Sequence, residues 1–179
     1  MRPAILLSLL PLGACPQAPD TRNAADNGVL AAGPETAVAA VAQGDLPAGL
    51  AELAQASVPG MTIREAERKD RDGRTYYDIE GTRPDGSEVE IDVLVQPDGT
   101  LKAVEVQRDI DWASAPGPIR AVAAAKADAF TPQGVIESRQ VAEGATIYEM
   151  FKPGEEDEPT MEVKWQGSKA SVLTRRAIH

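Results

Sequence analysis

The side chains able to do chemistry in this sequence are mostly carboxylates. Twenty-eight Asp and Glu stand against 18 Lys and Arg, for a formal net charge of −10. The densest run, Glu155-Glu156-Asp157-Glu158, could hold a hard cation loosely or meet a basic partner. It lacks the alternating ligands and turn glycine of a dedicated Ca²⁺ loop, so a solvated loop is the plainer expectation. Asp70-Arg71-Asp72-Gly73 starts like such a loop but breaks before the later ligands, which is what a hairpin turn looks like. The other carboxylates alternate along strand-like runs, and none stands apart as a buried acid for proton transfer. Seven serines have neither a companion histidine nor nucleophile-elbow spacing, and the one histidine is His179. One cysteine permits no disulfide within the chain and no Cys-cluster metal site. Glycine-rich phosphate loops are absent, and an acidic chain lacks the electrostatic footprint of a nucleic-acid binder. The expectation is a non-enzyme with no cofactor, no metal centre and no nucleic-acid partner.

Cys15 is the exception in this inventory. Arg2 precedes a short apolar run of Ile5, Leu6, Leu7, Leu9 and Leu10, and Leu12-Gly13-Ala14-Cys15 follows. That run falls well short of the roughly 20 apolar residues a membrane-spanning helix needs, and it has the form of a cleaved signal. The small residues before the lone cysteine resemble a bacterial lipobox. The resemblance implies that residues 1–14 are removed and that Cys15 is lipidated as the new N-terminus, an anchor of several acyl chains. Pro16 rather than Asp follows, which by the same resemblance permits transfer to the outer membrane, facing the periplasm or the cell surface. An ordinary secretory signal with Cys15 just past the cleavage site is the alternative.

Residues 15–44 are rich in Ala, Pro, Asn and Gly and are expected to form a flexible tether, with 35–43 able to make a short helix. The folded part is expected from Asp45, which can cap a helix that has Pro47 in its first turn and Leu46, Leu50 and Leu53 along one stripe. Val58-Pro59-Gly60 stops it. Runs at 61–68, 75–82, 88–96 and 101–107 then alternate as strands, separated by Asp72-Gly73, Pro84-Asp85-Gly86 and Pro97-Asp98-Gly99 turns. After a joint at 111–117 the order recurs. Pro118 opens a helix lined by Ile119, Val122, Ala123 and Phe130, and strands follow at 135–141, 145–152, 160–165 and 170–176. Thr75-Tyr76-Tyr77-Asp78-Ile79 overlays Thr146-Ile147-Tyr148-Glu149-Met150, and Val89-Glu90-Ile91-Asp92-Val93 overlays Met161-Glu162-Val163-Lys164-Trp165. The fold class expected is α+β: two repeats, 45–110 and 118–179, each one helix packed on a four-stranded antiparallel meander sheet. An apolar content of 42% is enough to fill such cores.

The unit resembles a PepSY-type domain. The residues that carry the likeness are the Asp72-Gly73 turn, Tyr77-Asp78-Ile79-Glu80-Gly81, the acidic alternating strand 88–95, and Asp98-Gly99-Thr100-Leu101 ahead of Val104-Glu105. In tandem it is similar to the PepSY-like group that shares its fold with the secreted β-lactamase inhibitor protein. The resemblance implies a non-catalytic periplasmic or extracellular module, sometimes an inhibitor or regulator of an enzyme. The chain departs from the secreted inhibitors in having no disulfide pair, and it offers no inhibitory loop to match theirs.

Strand parity then sorts the side chains. Tyr77, Ile79, Val89, Ile91, Val93, Val95, Val104 and Val106, with Tyr148, Met150, Met161, Val163, Trp165 and Val172, are assigned to the helix-covered face. The opposite, open face receives Asp78, Glu80, Glu88, Glu90, Asp92, Glu149 and Glu162, together with Tyr76, Leu94, Ile147, Phe151 and Leu173. A solvated sheet face should be polar, so the last five form an apolar set rimmed by charge, the composition of a protein- or peptide-binding surface. Strand-end packing, inter-repeat contact or cover from the Ala-rich segment would account for the same residues. Trp112, in the joint, is expected to anchor the packing between repeats. The function expected is lipid-anchored, non-catalytic binding of an envelope protein. An acidic cation or small-ligand binder and a structural envelope lipoprotein are the alternatives.

Overall fold

The computed structural model describes residues 35–155 and 157–175. Cys15, the signal, Glu156 and His179 lie outside the described residues. Nine strands and two α-helices run in the order β1 (Glu35–Ala40), α1 (Leu50–Ser57), β2 (Thr62–Arg71), β3 (Arg74–Thr82), β4 (Glu88–Val95), β5 (Leu101–Ile110), α2 (Gly117–Ala124), β6 (Gly134–Gln140), β7 (Ala145–Phe151), β8 (Met161–Gln166) and β9 (Lys169–Val172) among the described residues. All nine strands join one sheet in sequence order, each antiparallel to the next. No helix among the described residues is long and apolar enough to cross a membrane.

Turn chemistry sets this meander. Asp72 and Gly73 both take positive φ, +50° and +73°, so Arg71 pairs directly with Arg74 in a two-residue hairpin. Gly167 and Ser168 do the same between Gln166 and Lys169. The two Pro-Asp-Gly turns share a second device. Asp85 Oδ1 accepts from the Ser87 backbone N–H and hydroxyl, and Asp98 Oδ1 accepts from the same groups of Thr100. Those bonds hold both exposed carboxyls below the ordinary Asp range.

Two apolar cores lie on the helix side. Leu50 and Ala54 of α1 pack on Ile79, Val89, Ile91, Val93 and Val106, with Leu46, Leu53 and Tyr77 at the margin. Ile119 and Ala123 of α2 pack on Val135, Tyr148, Met150, Met161 and Val163, with Trp112, Phe130 and Trp165 at the margin. Trp112 thus belongs to the second core.

Four local expectations are corrected. Residues 35–40, expected in the tether or as a short helix, form the edge strand β1 against β2; pairing with an existing strand overrides weak helix propensity. Asp45 does not cap α1, because it closes a 3-10 turn and Gly49, at φ +85°, breaks the chain just before Leu50. The second helix ends at Ala124, so Phe130 reaches its core from the following loop. Val104 is not on the helix face. The β4–β5 register slips between Asp92 and Val93, so that Val93 faces Ala103 while Asp92 faces Glu105, and the extra residue turns Val104 to the open face.

Candidate functional site

Strand pairing lays a row of polar side chains across the open face. Asp78 on β3 sits opposite Asp92 on β4, and Glu80 opposite Glu90. Asp92 in turn faces Glu105 on β5, which faces Gln140 on β6. Further along, Glu149 on β7 faces Glu162 on β8. Like charges placed directly opposite one another are unfavourable even in water. Here they are also buried: Asp78, Asp92, Glu105, Glu149 and Glu162 each keep 7% or less of their surface exposed.

The first part of this row is the tightest. Oxygens of Asp78, Glu90 and Asp92 all lie within 4.8 Å of one another. Lys69 of β2 reaches in and donates to Asp78 Oδ2 at 2.5 Å. Burial, reinforced by the negative charges of Asp78 and Asp92, pushes the Glu90 carboxyl up to about 8. Burial, with Asp78 and Glu105 beside it, pushes Asp92 up to about 7, against the pull of Lys69. Glu105 accepts from the Ser138 hydroxyl, and Ser138 Oγ accepts from Gln140 Nε2 at 2.8 Å. A cavity of about 200 Å³ opens beside Glu90, lined also by Arg64, Glu80, Gln107, Asp109 and Ile136. On the opposite face Arg108 donates to Glu137 at 2.8 Å, and the Tyr148 hydroxyl reaches the same carboxylate at 3.4 Å. Burial and Glu137 push that phenol up to about 12.

The five apolar residues proposed for partner binding do share the open face in part. Tyr76 and Leu94 are direct cross-strand partners and, with Val104, form a small buried cluster of their own. Ile147, on β7, is also buried. Phe151, at the end of β7, and Leu173, after β9, are half-buried. Leu173 lines a groove of about 1120 Å³ with Lys126, Asp128, Glu155, Glu158 and Arg175. In the acidic loop Lys152 pairs with Glu155 at 2.8 Å and holds its carboxyl below the ordinary Glu range.

The clustering of Asp78, Glu90 and Asp92 was absent from the expectations, which placed all three on the open face as solvated charges. The signal was present in the turn. Counting back from Pro84-Asp85-Gly86 pairs Asp78 with Asp92 and leaves Glu90 two residues along the same face.

Residues 33–93 match the family model described as "Peptidase propeptide and YPEB domain", so a PepSY domain is found over that stretch. It takes in β1, α1, β2, β3 and most of β4, and therefore begins ahead of Asp45. Its members are in general non-catalytic, propeptide- or inhibitor-like modules that typically interact with proteins, peptidases above all. No curated protein and no solved structure matches the chain.

Proposed function

We propose that the chain is a non-catalytic, lipid-anchored envelope module of two PepSY-like repeats that binds a protein or peptide, with an envelope peptidase as the favoured class of partner. The PepSY match over residues 33–93 is the observation that carries this reading. The second half supports the duplication: α2 packs on β6–β9 as α1 does on β2–β5, and Glu149 pairs with Glu162 as Asp78 pairs with Asp92. The lipidated residue is Cys15, and the outer membrane is the proposed location.

The binding surface is the apolar set of the open face, entered from its more exposed end at Phe151 and Leu173. Tyr76, Leu94 and Ile147 form its buried floor. Cross-linking followed by mass spectrometry in the native envelope tests the reading. A stoichiometric partner is expected, lost from Phe151→Asp/Leu173→Asp while circular dichroism shows the chain still folded; repeated absence of any partner refutes it. Radiolabelled palmitate should enter the wild type and not Cys15→Ser.

A further inference from the structure

We propose that Asp78, Glu90 and Asp92 form a binding site for one hard divalent cation, of the Ca²⁺ class, on the open face of the sheet. The site is distinct from the acidic loop at Glu155 and from the apolar partner surface.

The geometry is that of oxygens sharing one centre. A Ca²⁺ ion lies about 2.3–2.6 Å from each oxygen ligand, so its ligands stand at most about 5 Å apart. The three carboxylates meet that limit pairwise, with oxygens within 4.8 Å of one another. They come from two neighbouring strands in fixed register, Asp78 opposite Asp92 and Glu90 two residues from Asp92 on the same face, so the arrangement is rigid. All-oxygen donors of this kind suit Ca²⁺, Mg²⁺ or Mn²⁺ rather than a softer metal.

A second observation points to an occupant. The Asp78 side chain is only 8% exposed, and its Oδ2 is engaged by Lys69. Its other oxygen, Oδ1, is buried with no hydrogen-bond donor. An unserved buried carboxylate oxygen is costly, and a group in that state calls for an ion or a proton. Charge balance favours the ion. Four carboxylates, Asp78, Glu90, Asp92 and the adjoining Glu105, share this part of the sheet with the Lys69 ammonium that pairs with Asp78. A proton bridges two oxygens, whereas a divalent cation engages all three and removes twice the charge. Glu90 also lines a cavity of about 200 Å³, through which water can reach its carboxylate.

The test uses the full chain dialysed against EDTA, titrated with CaCl₂ by calorimetry and melted with and without millimolar Ca²⁺. One ion per chain and a rise in melting temperature are expected. Asp92→Asn and Glu90→Gln should each weaken binding at least about tenfold. Each replaces a carboxyl crowded by its neighbours with a neutral amide of the same shape, so both should melt no lower than the wild type without metal, and their loss of binding is not a loss of fold. Glu155→Ser/Glu158→Ser should bind as the wild type does. The proposal is overturned if Ca²⁺, Mg²⁺ and Mn²⁺ all give neither heat nor a melting shift, which would leave a proton-sharing cluster only. It is overturned equally if Asp92→Asn and Glu90→Gln keep wild-type affinity, or if the loop variant alone loses it.

Discussion

Ile79→Ala should unfold both halves of the molecule together. Ile79 is fully buried under α1 and pairs with Ile91 across β3–β4. Truncating a core Ile to Ala costs about 2–5 kcal/mol, transfer and cavity terms together. With a short helix above it, Leu50–Ser57, able to settle partly into the gap, about 3 kcal/mol is expected. The reporters lie elsewhere. The chain's two tryptophans, Trp112 and Trp165, both pack on the second core, so their fluorescence senses Ile79 only through the sheet. The seam between the halves is β5–β6, a continuous register from Glu105↔Gln140 to Ile110↔Val135, braced by Ser138 on Glu105. A sheet that unfolds as one unit gives coincident transitions by tryptophan fluorescence and far-UV circular dichroism. At a slope of about 2 kcal/mol per molar urea, both midpoints should fall by about 1.5 M. A tryptophan transition left at the wild-type midpoint, while part of the circular dichroism signal moves, would refute the reasoning. It would mean the two cores hold independently and the seam is weaker than either.

Three further outcomes follow from the same contacts. Tyr76→Ala should cost about 3–5 kcal/mol in urea unfolding, because the side chain is buried against Leu94 and Val104, whereas half-buried Phe151→Ala should cost about 1 kcal/mol; equal costs would contradict the burial. In EDTA, stability should fall as pH rises. Glu90 and Asp92 titrate near 8 and 7 in the fold and in the ordinary carboxylate range when unfolded, so the folded chain holds extra protons in between, and on the order of 6 kcal/mol is lost from about pH 5 to 9. Urea midpoints that rise over that range would show the sign to be wrong, and Glu90→Gln should flatten the slope. Gly81→Val should lower the melting temperature sharply, since a Cβ there would fall on the Thr62 carbonyl oxygen and the Met61 methyl; a neutral effect would mean that β2 can move aside.

The hairpins were the legible part of the fold. Asp72-Gly73, the two Pro-Asp-Gly turns and Gln166-Gly167 carry local chemistry strong enough to end one strand and start the next, and the apolar stripes at Leu50 and Ile119 point at the faces they cover. What escaped depends on partners distant in sequence. β1 has no alternating apolar pattern, because Ala and Val on an exposed edge serve mainly to pair with β2. The Val104 bulge is invisible to parity, which carries the helix face back from Val106 and misplaces one residue at the register slip. Parity put the acids on the open face correctly, but it reports direction and not solvent. Only the pairing of neighbouring strands shows Asp78, Asp92 and Glu105 crowded below the surface.

The two halves differ where the cation is proposed to sit, and that difference fixes a stoichiometry. Strand pairing matches Tyr76↔Leu94 and Asp78↔Asp92 of the first half to Ile147↔Lys164 and Glu149↔Glu162 of the second, two residues away from the sequence overlay along β8. Glu149 and Glu162 are paired and buried as Asp78 and Asp92 are, and Thr160, which has no carboxylate, precedes Glu162 by two residues as Glu90 precedes Asp92. Among the described residues, only the first half gathers three carboxylates within reach of one ion. Buried charge of this kind is often less stabilising than apolar residues of the same size, and the Tyr76-Leu94-Val104 cluster shows that the same face can be filled with such residues. A chain that gathers three acids in one half and keeps only the pair in the other has a site there rather than a packing habit. Calorimetry should therefore return one ion per chain. A wild-type stoichiometry of two would show that a buried carboxylate pair suffices and that Glu90 is not what makes the site.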